Sequence, residues 1–536
     1  MVQLILVLIG ALLVTALARS REIASPLLLV AVGMAVSLVP GLDPLRIEPE
    51  LLLTAVLPPL LYAAALDSSF TNFRARIRPI VHHGVLQVIV TSFVLGWIAF
   101  TLIPDLPLAS AIVLGAVIAP PDAVTAAAIG RQLKLPRGVM TVLGGESLIN
   151  DAAALTIYRM AITAVVGTTP SLAHGLGVFA LAVVVGVVLG LGFGMLAQLA
   201  RQHVPDVQVA TLLGVLVPFI AYLTAEELQG SGVLAVVTAG LYVGHNLPRA
   251  RAAGRLQEHT VWGAINLLLE SLVFAYIGLQ LKSVVGDVVG SGRPVSGILL
   301  ATLLILASAI AFRVLWMFAS NYLPGVSHLI MSGRRGGRWR RTAVLSWAGM
   351  RGVVTLAAAG AIPFTTEAGA PLPGREVIQF VAAVVTVATI LIQGTTLPPL
   401  IRRLGVTDPE EARSDDQAEA EARRIATNAA LAYLDGLTPG EARCERSALN
   451  RMVSRMRDVV EHQGLAAAEQ VGRTPAERAD TATRTFAELR RGTIEVQRSA
   501  IADERDAGHL DDEVLRRVFR ELDLQEAAVE GSWRNR

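Results

Sequence analysis

Apolar runs long enough to cross a bilayer follow one another almost without pause over residues 1–403, separated by short polar turns. A hydrocarbon core of ~30 Å takes ~20 apolar residues per helical crossing. Thirteen windows fit that pattern: residues 2–18, 25–40, 50–66, 80–103, 108–131, 141–166, 173–200, 208–226, 231–246, 261–281, 297–322, 342–365 and 377–400. The predicted fold class is an all-α membrane protein of about 13 transmembrane helices, followed by an α-helical cytoplasmic tail.

Loop charge tests that number, because Lys and Arg collect in cytoplasmic loops. After odd-numbered windows stand Arg19 and Arg21; Arg74, Arg76 and Arg78; Arg131, Lys134 and Arg137; Arg201; Arg249, Arg251 and Arg255; Arg334, Arg335, Arg338, Arg340 and Arg341; Arg402 and Arg403. After even-numbered windows stand only Arg46, Lys282, Arg293 and Arg375, a split of 19 to 4 that a missed or invented crossing would scramble. The expected topology is multi-pass in a bacterial-type plasma membrane, N-terminus outside and C-terminus cytoplasmic. Ala16-Leu17-Ala18 resembles a signal-peptidase site, but the segment lacks a basic n-region and Arg19 and Arg21 fit the alternation, so the first window is read as a retained helix.

Composition changes the picture in two places. With 53% apolar and 17% charged residues the chain is not a soluble enzyme, and a single cysteine, Cys444, excludes an intramolecular disulfide. Near residue 407 the membrane-like composition gives way to Ala, Glu, Asp and Arg, with 27 acidic against 20 basic residues over 408–536. Two domains are expected, a transmembrane domain over 1–405 and a helical tail over 406–536, with apolar faces at Leu449, Met452, Val453 and Met456 and at Leu515, Val518, Phe519 and Leu522. The tail reads either as a solvated end or as a regulatory or dimer-contacting domain whose partner is unknown.

The candidate chemistry lies where polar residues interrupt the apolar windows. GESLIND at 145–151 places Glu146, Ser147, Asn150 and Asp151 in window six, with Asp151 about ten residues in, or ~15 Å at 1.5 Å per residue, near the bilayer midplane. Ionisable groups cost roughly 2.5–3.5 kcal/mol there and mark ion or proton pathways. Ser147 and Asp151 share one helical face, and oxygen ligands suit a hard cation. A buried carboxylate also exchanges a proton for a cation readily, since desolvation favours its neutral form and a bound cation its charged one. In window five, Pro120 and Pro121 followed by Asp122 must break the helix, which membrane proteins tolerate where backbone lines a cavity. Window twelve carries a matching interruption, Gly349-Met350-Arg351-Gly352, seven windows later. Paired interrupted helices at corresponding positions point to a transporter site within an inverted repeat. Arg351 is expected to neutralise Glu146 as a structural ion pair, the alternative being a role in setting the protonation of Asp151.

Together, LPPLLYAAAL at 57–66, GAVIAPPDAV at 115–124, GESLIND, SGVLAVVTAGLYVG at 231–244, VFAYIGLQL at 273–281 and WAGMRGVVTLA at 347–357 resemble a bacterial sodium/proton exchanger of the monovalent cation/proton antiporter family. The resemblance implies an inverted-repeat fold, a homodimer and alternating access. By position it implies that Asp151 binds cation and proton, that Asp122 sits at the helix crossing, that Ser147 is a ligand, and that Glu146 and Arg351 are the buried pair. Asn150 stands where electrogenic relatives have a second aspartate, which implies electroneutral exchange. Pro121 and Ala123 depart from the family's residues around the crossing aspartate, leaving Na+ against K+ open. Tyr62 and Ala63 follow the double proline of window three, where an acidic residue is frequent; Glu270 in window ten either compensates or pairs with Arg313.

The expected substrates are therefore H+ and a monovalent cation, Na+ before K+ or Li+, with no cofactor, no nucleic-acid partner and no nucleotide motif. A cation channel would use the same carboxylates but would not need paired interrupted helices. An intramembrane aspartyl protease fits worse, since Asp122 lies at a broken helix and Asp151 in an Asn-Asp pair. The histidines His82, His83, His203, His245, His259 and His328 read as solvated residues near window ends.

Overall fold

Helices account for the regular structure of the described residues, and the one β contact among them is an isolated antiparallel bridge between Thr365 and Pro371. The computed structural model describes residues 2–21, 23–40, 51–133, 135–166, 172–247, 252–290, 294–322, 338–366 and 369–406, with isolated positions of the tail. It divides into two units, 1–407 and 408–536. The expected tail helices around Leu449 and Leu515, and Cys444, lie outside the described residues.

In chain order the elements are α1 (Val2–Ser20), α2 (Ser25–Ser37), a π-helical turn (Leu52–Val56) running into α3 (Leu57–Leu66), α4 (Phe70–Ala75) and α5 (Ile77–Val81). A second π-helical turn (His82–Leu86) leads into α6 (Gln87–Leu102), followed by α7 (Leu108–Ile118), α8 (Ala123–Gln132), α9 (Arg137–Val166), α10 (Leu172–His203) and α11 (Val207–Glu227). Then come α12 (Gly232–Asn246), α13 (Ala252–Gly290), α14 (Val295–Tyr322), α15 (Arg338–Trp347), α16 (Val353–Gly360) and α17 (Arg375–Leu404). Among the described residues eight helices are long and apolar enough to cross a membrane, among them α9, α11, α14 and α17, and shorter apolar helices cover Ser25–Ser37, Thr54–Leu66, Leu108–Ile118 and Gly232–Asn246.

Local chemistry sets many of the helix ends. Asp206 accepts from the amides of Gln208 and Val209 at 2.7 and 3.1 Å, and Ser231 accepts from that of Leu234 at 3.3 Å, so α11 and α12 start on side-chain caps. At its other limit, α17 stops at Gly405, whose φ of 57° is the left-handed conformation that ends a helix without a Cβ penalty.

Packing puts α9 at a junction. Its Tyr158 and Ala161 join a cluster with α6, α7, α14 and α17 through Leu95, Leu114, Ile305 and Val381. Leu148 and Ala152 of the same helix join a second cluster with α3, α11 and α12 through Tyr62, Ala221 and Val236. A third cluster holds α1, α2 and α13 together through Leu29, Val30, Phe274 and Ile277. Within it a Cβ on Gly33 would lie 2.6 Å from the Ala275 oxygen, so α2 and α13 meet backbone to backbone, as small residues allow in a membrane. Side chains such as Leu181, Val184, Val188, Leu212 and Leu300 remain exposed on the outside, which is the face a bilayer covers.

His83 differs from expectation. It lies within the apolar span Ile77–Leu102 and is only 1% exposed, while its neighbour His82 stacks on Trp316 and bonds Ser320 through Nε2 at 2.9 Å. The adjacent Arg78 and Pro79 suggest a loop from sequence, but the helix continues through them. By contrast, His203 and His245 are exposed as expected.

Candidate functional site

The prolines of window five act as their chemistry requires. Helix α7 ends at Ile118, residues 119–122 are non-helical, and α8 begins at Ala123. In the same way α15 ends at Trp347 and α16 begins at Val353, with residues 348–352 non-helical between them. The two breaks meet: the Asp122 amide donates to the Met350 carbonyl at 2.7 Å. A Cβ on Gly352 would lie 1.8 Å from Asp122 Oδ2, so the absence of a side chain there is what admits the Asp122 carboxylate to the crossing.

Helix α9 passes beside this crossing and supplies the other carboxylate. Asp151 is buried, 7% exposed, and no side chain among the described residues pairs with it. It lines a cavity of about 310 Å³ together with Asp122, Ser147, Pro120 and Gly352, so the structure brings these sequence-predicted residues around one space. Asn150 is placed differently. It is fully buried, is not among the residues lining the cavity, and its Nδ2 donates to the Pro121 carbonyl at 2.5 Å. Its work in this structure is to satisfy a carbonyl released by the break rather than to face the cavity.

The expected ion pair is re-partnered. Glu146 receives Arg313, Nη1 to Oε1 at 2.6 Å and Nη2 to Oε2 at 3.2 Å, with both side chains at 3% exposure or less. Such a fork-to-fork pair is the strongest form of charge-assisted bond. Arg351 instead donates through Nε to the Ile118 carbonyl at 2.5 Å and through Nη1 to the Gly349 carbonyl. Its own amide donates to Thr389 Oγ1 at 3.0 Å. Broken helices explain the exchange of partners: each leaves carbonyls with no intrahelical donor and a partial negative charge at its C-terminus. One guanidinium between the ends of α7 and α15 answers both needs, and a count of side-chain charges alone does not see them. The alternative of a Glu270–Arg313 pair is removed by the same geometry, since Arg313 is engaged by Glu146 and Glu270 lines the cavity.

Replacing Arg351 by Ala should therefore act on stability, leaving two buried carbonyls unsatisfied at about 1–3 kcal/mol each. Thermal melting of the purified variant in detergent checks this. A melting temperature equal to the parent's, with an altered pH profile of transport, would assign Arg351 to control of Asp151 instead.

Several lining residues were not singled out by sequence. Asn266, Thr355 and Arg131 line the same cavity, as do Asp67 and Ser68 from the turn after α3. For Asn266 a signal did exist, since it precedes Glu270 by four residues on α13 and so shares its face. Arg159, two turns beyond Asp151 on α9, forms a salt bridge with Glu226 of α11.

Among the described residues, a helical domain lines a carboxylate-bearing cavity where two helix breaks meet, the arrangement that points to a transporter site. The family model "Sodium/hydrogen exchanger, transmembrane" matches residues 4–403, and the chain belongs to that family. An uncharacterized Na+/H+ exchanger of Mycobacterium tuberculosis is 33% identical over 98% of this chain and 95% of its own length. A sodium, potassium, lithium and rubidium/H+ antiporter of Bacillus subtilis is 32% identical over 70% of this chain and 57% of its own length. Among solved structures, the sodium proton antiporter MjNhaP1 of Methanocaldococcus jannaschii superposes with a TM-score of 0.58 at 18% identity, covering 75% of this chain and 96% of its own, a likeness of fold. The protein is thus a multi-pass membrane antiporter rather than an enzyme.

Proposed function

We propose that the protein exchanges a monovalent cation, Na+ foremost, for a proton, one for one, by alternating access at Asp151. The observation that carries this is the Asp151 carboxylate, buried and without a side-chain partner among the described residues, at the wall of a cavity where two helix breaks cross. Ser147, one turn earlier on the same face, and Asp122 at the crossing supply further oxygens to a cation. A carboxylate in such a place holds either a cation or a proton, and the competition between them couples the two fluxes. Since the neighbouring Asn150 carries no charge, one cation exchanges for one proton and no net charge moves.

Thirteen crossings arranged as two inverted repeats, with the two breaks at equivalent positions, fit the eight long helices, the shorter apolar ones and the split pairs α7–α8 and α15–α16. In this topology the N-terminus lies outside, the C-terminus lies in the cytoplasm, and the working form is a homodimer in the plasma membrane. The cavity extends from Asp151 toward Thr141 and the Asp67–Ser69 turn, on the cytoplasmic side of that topology. Toward the other end of α9 the Arg159–Glu226 bridge ties α9 to α11, and Glu226 also accepts from the Gly232 amide at 3.0 Å, tying in α12. The pair acts as an outer closure of modest strength, because a partly exposed ion pair contributes only about 0–1 kcal/mol.

Either Arg159→Ala or Glu226→Ala should raise severalfold the rate at which an impermeant thiol reagent, added outside, labels Leu155→Cys in a Cys444→Ser background. The charge-swapped double variant should restore slow labelling; unchanged labelling in all variants would remove the bridge from the closure.

The deciding test of function is reconstitution in proteoliposomes with an internal pH dye and an imposed proton gradient. Addition of Na+, K+ or Li+, with and without a clamped potential, should give Na+-driven proton movement insensitive to voltage. Preference for K+ would select the K+/H+ alternative, a prospect kept open by the broad cation range in the name of the Bacillus subtilis relative. Cation flux without proton movement would overturn antiport in favour of a channel.

A further inference from the structure

The cavity that Asp151 lines has further residues that the exchange described above does not use. Helix α13 contributes Glu270 and, four residues before it on the same face, Asn266. Among the described residues no hydrogen bond or salt bridge holds the Glu270 carboxylate, and none donates to the buried Asn266 Oδ1. Further along this helix Glu258 does have a partner, a salt bridge to Arg201, so an acid on α13 that serves structure is visibly tied down. Four carboxylates, Asp67, Asp122, Asp151 and Glu270, line the cavity against the single guanidinium of Arg131. A cleft so charged, with low-dielectric walls, concentrates cations.

Helix α13 packs on α1 and α2 through Val273, Phe274 and Ile277, and its Trp262 joins the cluster that holds Leu148 and Ala152 of α9, so the helices carrying Glu270 and Asp151 are both anchored in packed cores.

The geometry points to Glu270 and Asn266 as a recruiting site on α13 that takes the hard monovalent cation from the open cavity and presents it to Asp151. The proposal rests on Asp151-centred exchange but concerns a step before it. A carboxylate and an amide oxygen, one turn apart, offer two ligands to a cation that still carries water on its open side. They set how readily the cation is captured, not whether Asp151 can cycle.

Initial rates of Na+-driven proton movement in proteoliposomes should show Glu270→Gln raising the apparent KM for Na+ about tenfold, equivalent to the loss of ~1.4 kcal/mol of binding, while the maximal rate falls less than about twofold. Asn266→Leu should move KM in the same direction. Glu270→Asp keeps the charge and should hold KM near the parent value, which a purely structural role would not predict. An unchanged KM in Glu270→Gln, or a lost maximal rate at unchanged KM, overturns the proposal. Binding of radioactive Na+ to purified protein separates this from the exchange itself. Asp151→Asn should retain weak Na+ binding that the added Glu270→Gln removes. Glu270-dependent binding without any exchange by the parent protein would refute antiport and keep this site; normal exchange with binding indifferent to Glu270 would refute this site alone.

Discussion

Asp151→Asn is expected to bring cation-driven proton movement down to that of protein-free liposomes while the protein still elutes and melts as the parent does. Asparagine keeps the volume and a carbonyl oxygen but neither titrates nor carries charge, so it can release no proton on binding a cation. Among the described residues Asp151 has no salt bridge to lose, and it lines a cavity, so removal of its charge costs the fold little. The comparison that matters is with Asn150→Ala, since Asn150 holds the Pro121 carbonyl at 2.5 Å and lies behind the cavity wall. Loss of that bond should lower stability by about 0.5–1.5 kcal/mol and weaken exchange without erasing it. Robust exchange by Asp151→Asn, measured in the pH-dye assay, would sink the assignment of the transport site.

Arg313→Ala should give the largest loss of stability of any single change considered. It removes one half of a bidentate pair in which Glu146 and Arg313 are almost fully buried, stranding the carboxylate next to the crossing. Breaking a buried pair from one side costs about 3–5 kcal/mol, far more than removing both members together. The expected result is a protein that melts well below the parent in detergent or fails to reach the membrane. The double variant Glu146→Leu with Arg313→Leu should recover most of the melting temperature, and the pair's coupling follows from the cycle of single and double variants. A fully stable Arg313→Ala would show that Glu146 finds another cation.

These two residues also mark the limit of what can be read from the chain alone. The GESLIND segment was legible because charge in an apolar window is costly and so conspicuous; Asp151 and Ser147 on one face follow from helical spacing alone. Pro120, Pro121, Gly349 and Gly352 announced their breaks by missing amides and missing side chains, and helices do stop at Ile118 and Trp347. The partner of Glu146 was not legible. Arg313 and Arg351 both lie within apolar windows, and the sequence reading assigns Glu146 to Arg351, whereas the structure gives it to Arg313. The choice between them belongs to backbone carbonyls freed at Ile118 and Gly349, which exist only once two broken helices cross.

Glu270 and Asn266 teach the same lesson. Their spacing on one helix was visible, but which space that face looks into depends on how α13 packs against α1 and α2. Hydrophobic periodicity, charge bias and backbone chemistry act along the chain, so the sequence by itself determined that apolar helices follow one another, where α7 and α15 stop, and which helix carries the buried acid. Pairing of charges and the shape of the cavity act across it, between residues as far apart as Glu146 and Arg313, and only the tertiary structure decided those.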